Sequence, residues 1–218
     1  MTLKLNGSTS GSVSIDAPAS TAGGADRTLT LPDDASNGII KTSTYPSAIQ
    51  VLEEFFTPCD GSVIATSNGN ITIGDVDAAV DQTTSYVDVP GSSITYTPPT
   101  GATQVIYKYR CQWGKGDTIP LLNVKLFLDS DEVSDARCAQ YAAERDNILV
   151  FEWGFNIGGS AVTATGRVAS WTSGKTIKLQ AREYGASNEA RLFSICLWEG
   201  SSNQDVFSRP SVGITAIG

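Results

Sequence analysis

The sequence of 218 residues contains no histidine. Imidazole is the usual base of nucleophilic triads and a common zinc ligand, so His-based triads, His-containing zinc sites and His proton relays are excluded. No apolar run approaches the roughly 18 residues of a spanning helix, so we expect no membrane insertion. We also expect no enzymatic activity, no catalytic residue, no cofactor and no bound metal.

Basic residues are scarce and are not clustered. The chain has 15 Lys and Arg against 23 Asp and Glu, which gives a net charge of −8. Its first 100 residues contain only Lys4, Arg27 and Lys41 against eleven acidic residues, and the remainder is balanced. Binding to a phosphate backbone needs clustered Lys and Arg to release counterions. We therefore predict that nucleic acid is not a partner.

The four cysteines are far apart and form no C-x-x-C pair. The first twelve residues lack the apolar core of a secretory signal. We therefore predict a chain made in a reducing cytoplasm, with buried and unpaired thiols. These cysteines are Cys59, Cys111, Cys138 and Cys196.

Residues 1–44 are predicted to form an extended, shaft-like β segment. Gly, Ser, Thr and Ala predominate, interrupted by short alternating pieces with two apolar side chains each. Such pairs bury too little surface to offset the loss of about 1–2 kcal/mol of backbone entropy per residue. The segment is either a disordered linker or strand material that gains its core from identical chains around a symmetry axis. We favour a homotrimer, held through Leu3, Leu5, Val13, Ile15, Leu29 and Leu31.

Residues 45–60 are predicted to form a linker that contains one short helix at 46–57. Pro46 suits a first helical turn, an apolar stripe follows it, and Pro58 ends the segment. The length of the run also permits a strand. We interpret the acidic pair Glu53 and Glu54 as facing water.

Residues 61–218 are predicted to form a jelly-roll-like β-sandwich. From Val105 to Trp113 apolar and polar residues alternate with the period of a half-buried strand. The Pro-Pro-Thr-Gly sequence at 98–101 marks a corner, so Tyr96 to Trp113 is predicted as one strand pair broken there. Asn68-Gly69 predicts a hairpin. Further strands are predicted at 122–128, 148–155, 177–181 and 192–198, and residues 133–141 suit a strand or a helix.

Three segments that look like ligand motifs are better interpreted as structural. The Gly-Lys-Thr at 174–176 lacks the upstream Gly and the following helix of a phosphate-binding loop. The acidic residues at 75–81 lack the middle ligand and the bidentate Glu of a calcium loop. A third, acidic cluster could bind a cation or act as paired carboxylates, but the preferences of Asp and Ser favour a turn between strands. That cluster consists of Asp129, Asp131, Glu132 and Asp135.

Residues 60–218 resemble the C-terminal head domains of bacteriophage fibre proteins, especially those of marine and cyanobacterial phages. The resemblance is carried by VPGSSITYTPPTGATQVIYKYRCQW, ILVFEWGFNIGG, RVASWTSGKTIKLQAREYGASNEARLF, LWEG and SVGITAIG, of which KTIKLQAREYG is the most specific. The segment GSTSGSVSIDAPASTAGGADRTLTLP is similar to the shaft repeats of such fibres. The resemblance implies jelly-roll heads that assemble as trimers. Fibres of this kind usually carry an amino-terminal anchoring domain, whereas the shaft-like sequence begins here at Leu3.

We therefore expect a structural virion protein of a bacteriophage, assembled in the host cytoplasm. The leading hypothesis is a short trimeric fibre or fibre tip whose head recognises a bacterial surface glycan or protein. The alternative is a capsid or tail decoration protein that stabilises the particle, and in both cases the amino-terminal segment is expected to contact other virion proteins. A rigid sandwich can carry binding residues on its loops without disturbing its core. The predicted receptor-facing residues are Asp129, Asp131, Glu132 and Asp135 in one loop and Ser187, Asn188 and Glu189 in another.

Overall fold

The computed structural model describes residues 2–6, 12–16, 50–115, 119–142, 145–200 and 205–218. The chain divides into two compact units, Met1–Pro46 and Ser47–Gly218. The second unit is called the head below. No helix in the described ranges is long or apolar enough to span a membrane.

In the first unit, two short strands form an antiparallel pair. They are β1 (Thr2–Asn6) and β2 (Ser12–Asp16), and their register places Leu3 opposite Ile15 and Leu5 opposite Val13. Four of the six residues predicted to hold a trimer therefore lie on paired strands. Leu29 and Leu31 lie outside the described residues.

The regular secondary structure of the described head is almost entirely β, as predicted. Short 3₁₀ helices occur at Ser134–Ala136 and Thr163–Thr165. The strands of the head are β3 (Val51–Pro58), β4 (Val63–Thr66), β5 (Gly69–Thr72), β6 (Val80–Asp81), β7 (Val87–Asp88), β8 (Ile94–Tyr96), β9 (Gln104–Gly114), β10 (Leu121–Leu128), β11 (Asp131–Glu132), β12 (Cys138–Tyr141), β13 (Asp146–Asn156), β14 (Lys175–Glu183), β15 (Arg191–Leu192), β16 (Ser194–Ile195), β17 (Val206–Phe207) and β18 (Ser211–Ile217).

These strands form two six-stranded antiparallel sheets. In the first sheet β9 pairs with β13 along its whole length. On its other side β9 pairs first with β18 and then with β15. β18 also pairs with β3, and β15 also pairs with β6. In the second sheet β14 pairs with β10 on one side and with β7 and β8 on the other, while β10 also pairs with β11 and β12. Two further two-stranded sheets, β4–β5 and β16–β17, belong to the described part of the head.

One hydrophobic core lies between the two sheets. The alternation in β9, β10 and β14 places every second side chain inward, as the period-two pattern predicts. The mainly β, sandwich-like architecture is thus confirmed. The inward residues of these three strands include Val105, Tyr107, Tyr109, Cys111, Trp113, Leu122, Val124, Leu126, Leu128, Ile177, Leu179 and Ala181, all buried.

The segment between β7 and β8 joins the two sheets through buried hydrogen bonds. Tyr107 Oη of the first sheet donates to the Ser92 carbonyl at 2.7 Å, and Tyr109 Oη donates to the Pro90 carbonyl at 2.8 Å. Ser92 Oγ accepts from Leu179 N of the second sheet at 3.0 Å and donates to the Val89 carbonyl at 2.7 Å. Ser92 therefore completes the edge of β14 at the gap between its two short partner strands.

The predicted helix at 46–57 is wrong, because residues 51–58 form the edge strand β3. The period-two pattern determines the outcome. Phe55 packs edge-on against Tyr96 with ring centroids 6.5 Å apart, whereas Phe56 is exposed. The interpretation that Glu53 faces water is also incomplete, because its carboxylate accepts a hydrogen bond from Tyr96 Oη at 2.8 Å. Pairing with β18 gives β3 a ladder that a helix here would lose.

Tyr96 to Trp113 is not one strand pair. β8 pairs with β14 in the second sheet, and β9 lies in the first. The Pro-rich corner at 98–101 therefore carries the chain from one sheet to the other. By contrast, the hairpin predicted at Asn68-Gly69 is present as β4 and β5.

Two further predicted strands are interrupted. The run at 192–198 contains the last residue of β15 and the whole of the two-residue strand β16, and it is interrupted because Phe193 between them has a φ of 62°. Residues 133–141 combine a 3₁₀ helix at Ser134–Ala136 with the strand β12.

The four thiols are unpaired, but only three are buried. Cys59, Cys111 and Cys196 lie in the interior, whereas Cys138 is half-buried. Burial raises the pKa of the Cys59 and Cys196 thiols to about 12. The prediction of four buried thiols is therefore wrong at Cys138, which lies on the sheet margin.

Replacing Ser92 by Ala should lower the free energy of unfolding by about 2 kcal/mol, because the buried Leu179 N–H loses its acceptor. Denaturant titration of the full chain measures this change. The matched control is Ser173→Ala, because Ser173 is exposed and should change the midpoint little. Equal midpoints for the two variants would contradict a role for Ser92 in joining the sheets.

Candidate functional site

The two predicted receptor loops lie at opposite ends of the sandwich. The paired strands β10 and β14 run from Leu128 opposite Ile177 to Leu122 opposite Glu183. The loop at 129–135 adjoins the first pair and the loop at 185–189 adjoins the second. Six residue steps at about 3.4 Å each separate these pairs by roughly 20 Å. The two loops therefore cannot contribute to one small binding site.

The first described residue of the head, Gln50, lies at the end that contains the loop at 129–135, which we call the near end. Gln50 and Gly218 exchange two backbone hydrogen bonds of 3.0 and 2.9 Å there, beside the first residue of β9. Arg167 lines a cleft together with Ile217 and a second cleft together with Asp129, which places these residues at the same end. The opposite end, around Leu121 and residues 184–191, is called the far end.

The acidic side chains of the loop at 129–135 are largely engaged by their own chain. Asp129 accepts from Lys175 Nζ at 3.0 Å and from Thr176 N at 2.8 Å. Partial burial opposes the charge of Asp129, but these two donors outweigh it and lower the carboxyl pKa. Such pairing stabilises a turn.

Glu132 is engaged in the same way. It accepts from Arg137 Nε, and from Lys125 Nζ at 2.9 Å, and these contacts hold its carboxyl pKa below the usual range. Asp131 and Asp135 are exposed. Across the described ranges, no group of three or more His, Cys, Asp or Glu side chains could hold a metal ion.

The loop at 185–189 is more open. Ser187 is exposed, while Asn188 Nδ2 donates to the Ile119 carbonyl at 3.1 Å and Glu189 lies 3.5 Å from Lys115 Nζ. The loop is therefore tethered to the chain beside β10 and presents small polar groups between its tethers.

Exposed aromatic side chains at the far end were not predicted from the sequence. Tyr141 lies opposite Leu121, and the Tyr184 N–H donates to the Leu121 carbonyl at 3.1 Å. Trp198 directly follows Leu197, whose N–H donates to Asp146 at the far end of β13. The exposed fraction is 54% for Tyr141, 63% for Tyr184 and 46% for Trp198. The only signal in the sequence is their position at strand ends.

Aromatic rings are well suited to contact a partner. Tyr and Trp offer a large apolar surface with a polar atom at little entropic cost, and they are enriched among residues that dominate binding energy. Ile119 and Leu197 are also about half exposed at this end. The far end therefore combines an apolar surface with the polar loop at 185–189, which is the composition of a recognition surface.

No protein-family model and no curated protein matches this sequence. The solved structures that it is similar to include the infectious bursal disease virus Gx strain, at 11% identity and a TM-score of 0.35, over 86% of this chain and 49% of that chain. The T13 particle of the same virus gives 11% identity, a TM-score of 0.37, and 85% and 43% coverage. The chain thus spans about half the length of these proteins.

A marine algae virus of the order Picornavirales gives 11% identity and a TM-score of 0.20, over 94% of this chain and 89% of that chain. TM-scores this low do not establish a shared fold.

The near-end loop depends on the backbone of Asp129, whose φ is 56°. Asp129→Ala and Asp129→Gly both remove the carboxylate, but only Ala places a Cβ in this left-handed conformation. We expect the free energy of unfolding of the Ala variant to be about 1 kcal/mol lower than that of the Gly variant. Thermal or denaturant unfolding measures the difference.

The control is the same pair of substitutions at Asp131, which lies in the strand β11. There the Gly variant should be the less stable one, because Gly weakens a strand. The same order of stabilities at both positions would contradict the backbone argument.

Proposed function

We propose that the chain is a structural virion protein of a bacteriophage, a short homotrimeric fibre or fibre tip whose head attaches the particle to its host cell. The β-sandwich and the residues that resemble phage fibre heads support this proposal. In it the virion is the site of action, and the partners are sister chains, other virion proteins and a bacterial surface glycan or protein.

The observation that carries the proposal is the polarity of the head. Gln50, the first described residue of the head, lies at the near end, and the exposed aromatic rings lie at the far end. We propose that residues 1–44 fasten the protein to its particle and that the far end is directed towards the host. Tyr141, Tyr184, Trp198 and the loop at 185–189 then face the host.

The polarity also changes the roles of the two predicted loops. We propose that the loop at 185–189 takes part in recognition, with Ser187, Asn188 and Glu189 as polar contacts. The loop at 129–135 faces the particle and braces the near end through Asp129 and Glu132. We therefore propose that binding takes place at the far end, where exposed apolar surface and exposed polar groups occur together.

The trimer remains part of the proposal. The described strands β1 and β2 form a two-stranded sheet, and a sheet of this size offers little apolar surface and is marginally stable in water on its own. Burying that surface among three chains would supply the missing core. Light scattering of the full chain should give three times the chain mass of 23.0 kDa. A monomer at micromolar concentration would contradict the trimer.

A second candidate function is decoration of the capsid or tail. It is favoured by exposed apolar residues at the near end, where Val51 and Leu52 of β3 are 59% and 37% exposed. Such a surface could pack against a lattice of particle subunits. Under this alternative the particle loses stability without the protein, and changes at the far end leave adsorption to cells unaltered.

The joint substitution Tyr184→Ala and Trp198→Ala should reduce adsorption of the virion to host cells by roughly tenfold or more, because exposed aromatic anchors are replaced. The rate of loss of free particles from a cell suspension measures adsorption. The matched control is Phe56→Ala, which removes an exposed aromatic ring from the side of the sandwich. Unchanged adsorption of the double variant, with intact incorporation into particles, would favour decoration.

A further inference from the structure

A small polar cleft lies at the far end, in the seam between the two sheets. The Gln82 N–H donates to the Ala190 carbonyl at 2.8 Å, and the Glu183 N–H of β14 donates to the Thr83 carbonyl at 2.9 Å. The segment 82–83 thus bridges the two sheets. Beside it a cleft of about 220 Å³ is lined by Asp81, Gln82, Lys115, Glu183, Glu189 and Ala190.

Two side chains of this cleft are polar where the pattern of the sandwich calls for apolar ones. Glu183 occupies the last inward position of β14 and is 7% exposed, and Gln82 is 5% exposed. Among the residues that the structure describes, neither Oε1 nor Nε2 of Gln82 has a hydrogen-bond partner. A buried amide without partners has lost its hydration without compensation, and native interiors rarely leave such groups unpaired. A ligand that both accepts and donates hydrogen bonds would supply the missing partners of the Gln82 amide.

The charges of the cleft disfavour an anionic ligand. Lys115 Nζ lies 3.6 Å from Asp81 and 3.5 Å from Glu189, and Glu183 adds a third carboxylate. Acidic groups therefore outnumber the ammonium, which disfavours an anion. In the described part of the chain no cluster of acidic, His or Cys side chains is arranged to hold a metal ion. The cleft is also smaller than the roughly 300–1,000 Å³ of sites for drug-sized ligands.

We propose that this cleft binds one uncharged pyranose residue, a hexose or an N-acetylhexosamine. Neighbouring sugar hydroxyls are donors and acceptors at once, so they can donate to the Glu183 carboxylate and can pair with both atoms of the Gln82 amide when that side chain turns into the cleft, since both atoms are closed to solvent in the described conformation. The inference deepens the proposed attachment function and rests on it for its biological role. The cleft adjoins the loop at 185–189 through Glu189, so a sugar there would lie within the proposed recognition surface.

Saturation-transfer NMR on the full-length protein tests the proposal, with D-glucose, D-galactose, D-mannose and N-acetyl-D-glucosamine as probes. At least one sugar should bind, and Gln82→Leu should weaken its binding at least about tenfold. The matched control is Gln104→Leu at the near end, which should bind as the unchanged protein does. Gln82→Leu should keep its melting temperature or raise it, since the amide it removes has no partner within the described head.

Glu183→Gln provides a second variant of similar size, and it should also weaken sugar binding. No saturation transfer from any of the four sugars overturns the proposal, as does unaltered binding by both the Gln82 and the Glu183 variants. The bound sugar should also bind as the terminal residue of a soluble oligosaccharide, and binding of the free sugar alone would overturn the link to a surface glycan. Sugar binding that persists while the far-end aromatic variants adsorb normally would contradict the attachment function and leave the sugar site standing.

Discussion

The burial of two tyrosine hydroxyls of β9 is the constraint on which the head depends. Burial raises the pKa of Tyr107 and Tyr109 well above the ordinary value, so both phenols stay neutral donors. Neutral buried hydroxyls need fixed acceptors, and the carbonyls of Ser92 and Pro90 provide them. Because Ser92 also accepts from Leu179 in the opposite sheet, the same segment fixes how the two sheets face each other and therefore where the strands end.

The two ends that this arrangement creates differ in how completely their polar groups are satisfied. At the near end, Gln50 and Gly218 pair through their backbones, and Asp129 is held by Lys175 and Thr176. At the far end, aromatic rings are exposed and the Gln82 amide is buried without a described partner. The near end also exposes Val51 and Leu52, but only the far end combines exposed aromatic rings with a buried amide that lacks a described partner, and this difference supports the proposal that the far end takes part in recognition.

Much of the sandwich could be predicted because its central strands read as clean alternations. From Val105 to Trp113, and again in β10 and β14, every second residue is apolar, and a strand with one buried face is the simplest structure that uses this pattern. β3 was misread because Pro46 and Pro58 bracket its apolar run as they would a helix. Its partner β18 is more than 150 residues away, and only tertiary pairing selects the strand.

The candidate site was predictable only in part. Polar loops could be found from turn residues, but their placement at opposite ends follows from the pairing of β10 with β14, which sequence spacing does not give. The exposure of Tyr184 and Trp198 is likewise a property of the packed sheets, because an aromatic residue after a strand is buried as readily as exposed. Gln82 follows the two-residue strand β6, where the sequence shows no clear alternation. Its amide stands out only because the packed sheets bury it without a described partner.

The orientation that we propose for the head places its far end towards the host and its near end towards the particle. Cryo-electron tomography of virions adsorbed to host cells, with the head fitted to the averaged density, measures this orientation directly. We expect Tyr184 and Trp198 to lie against the cell surface, while Gln50 points to the particle. Heads with the near end towards the cell, or heads arrayed on the capsid lattice without contact to the cell, would contradict it.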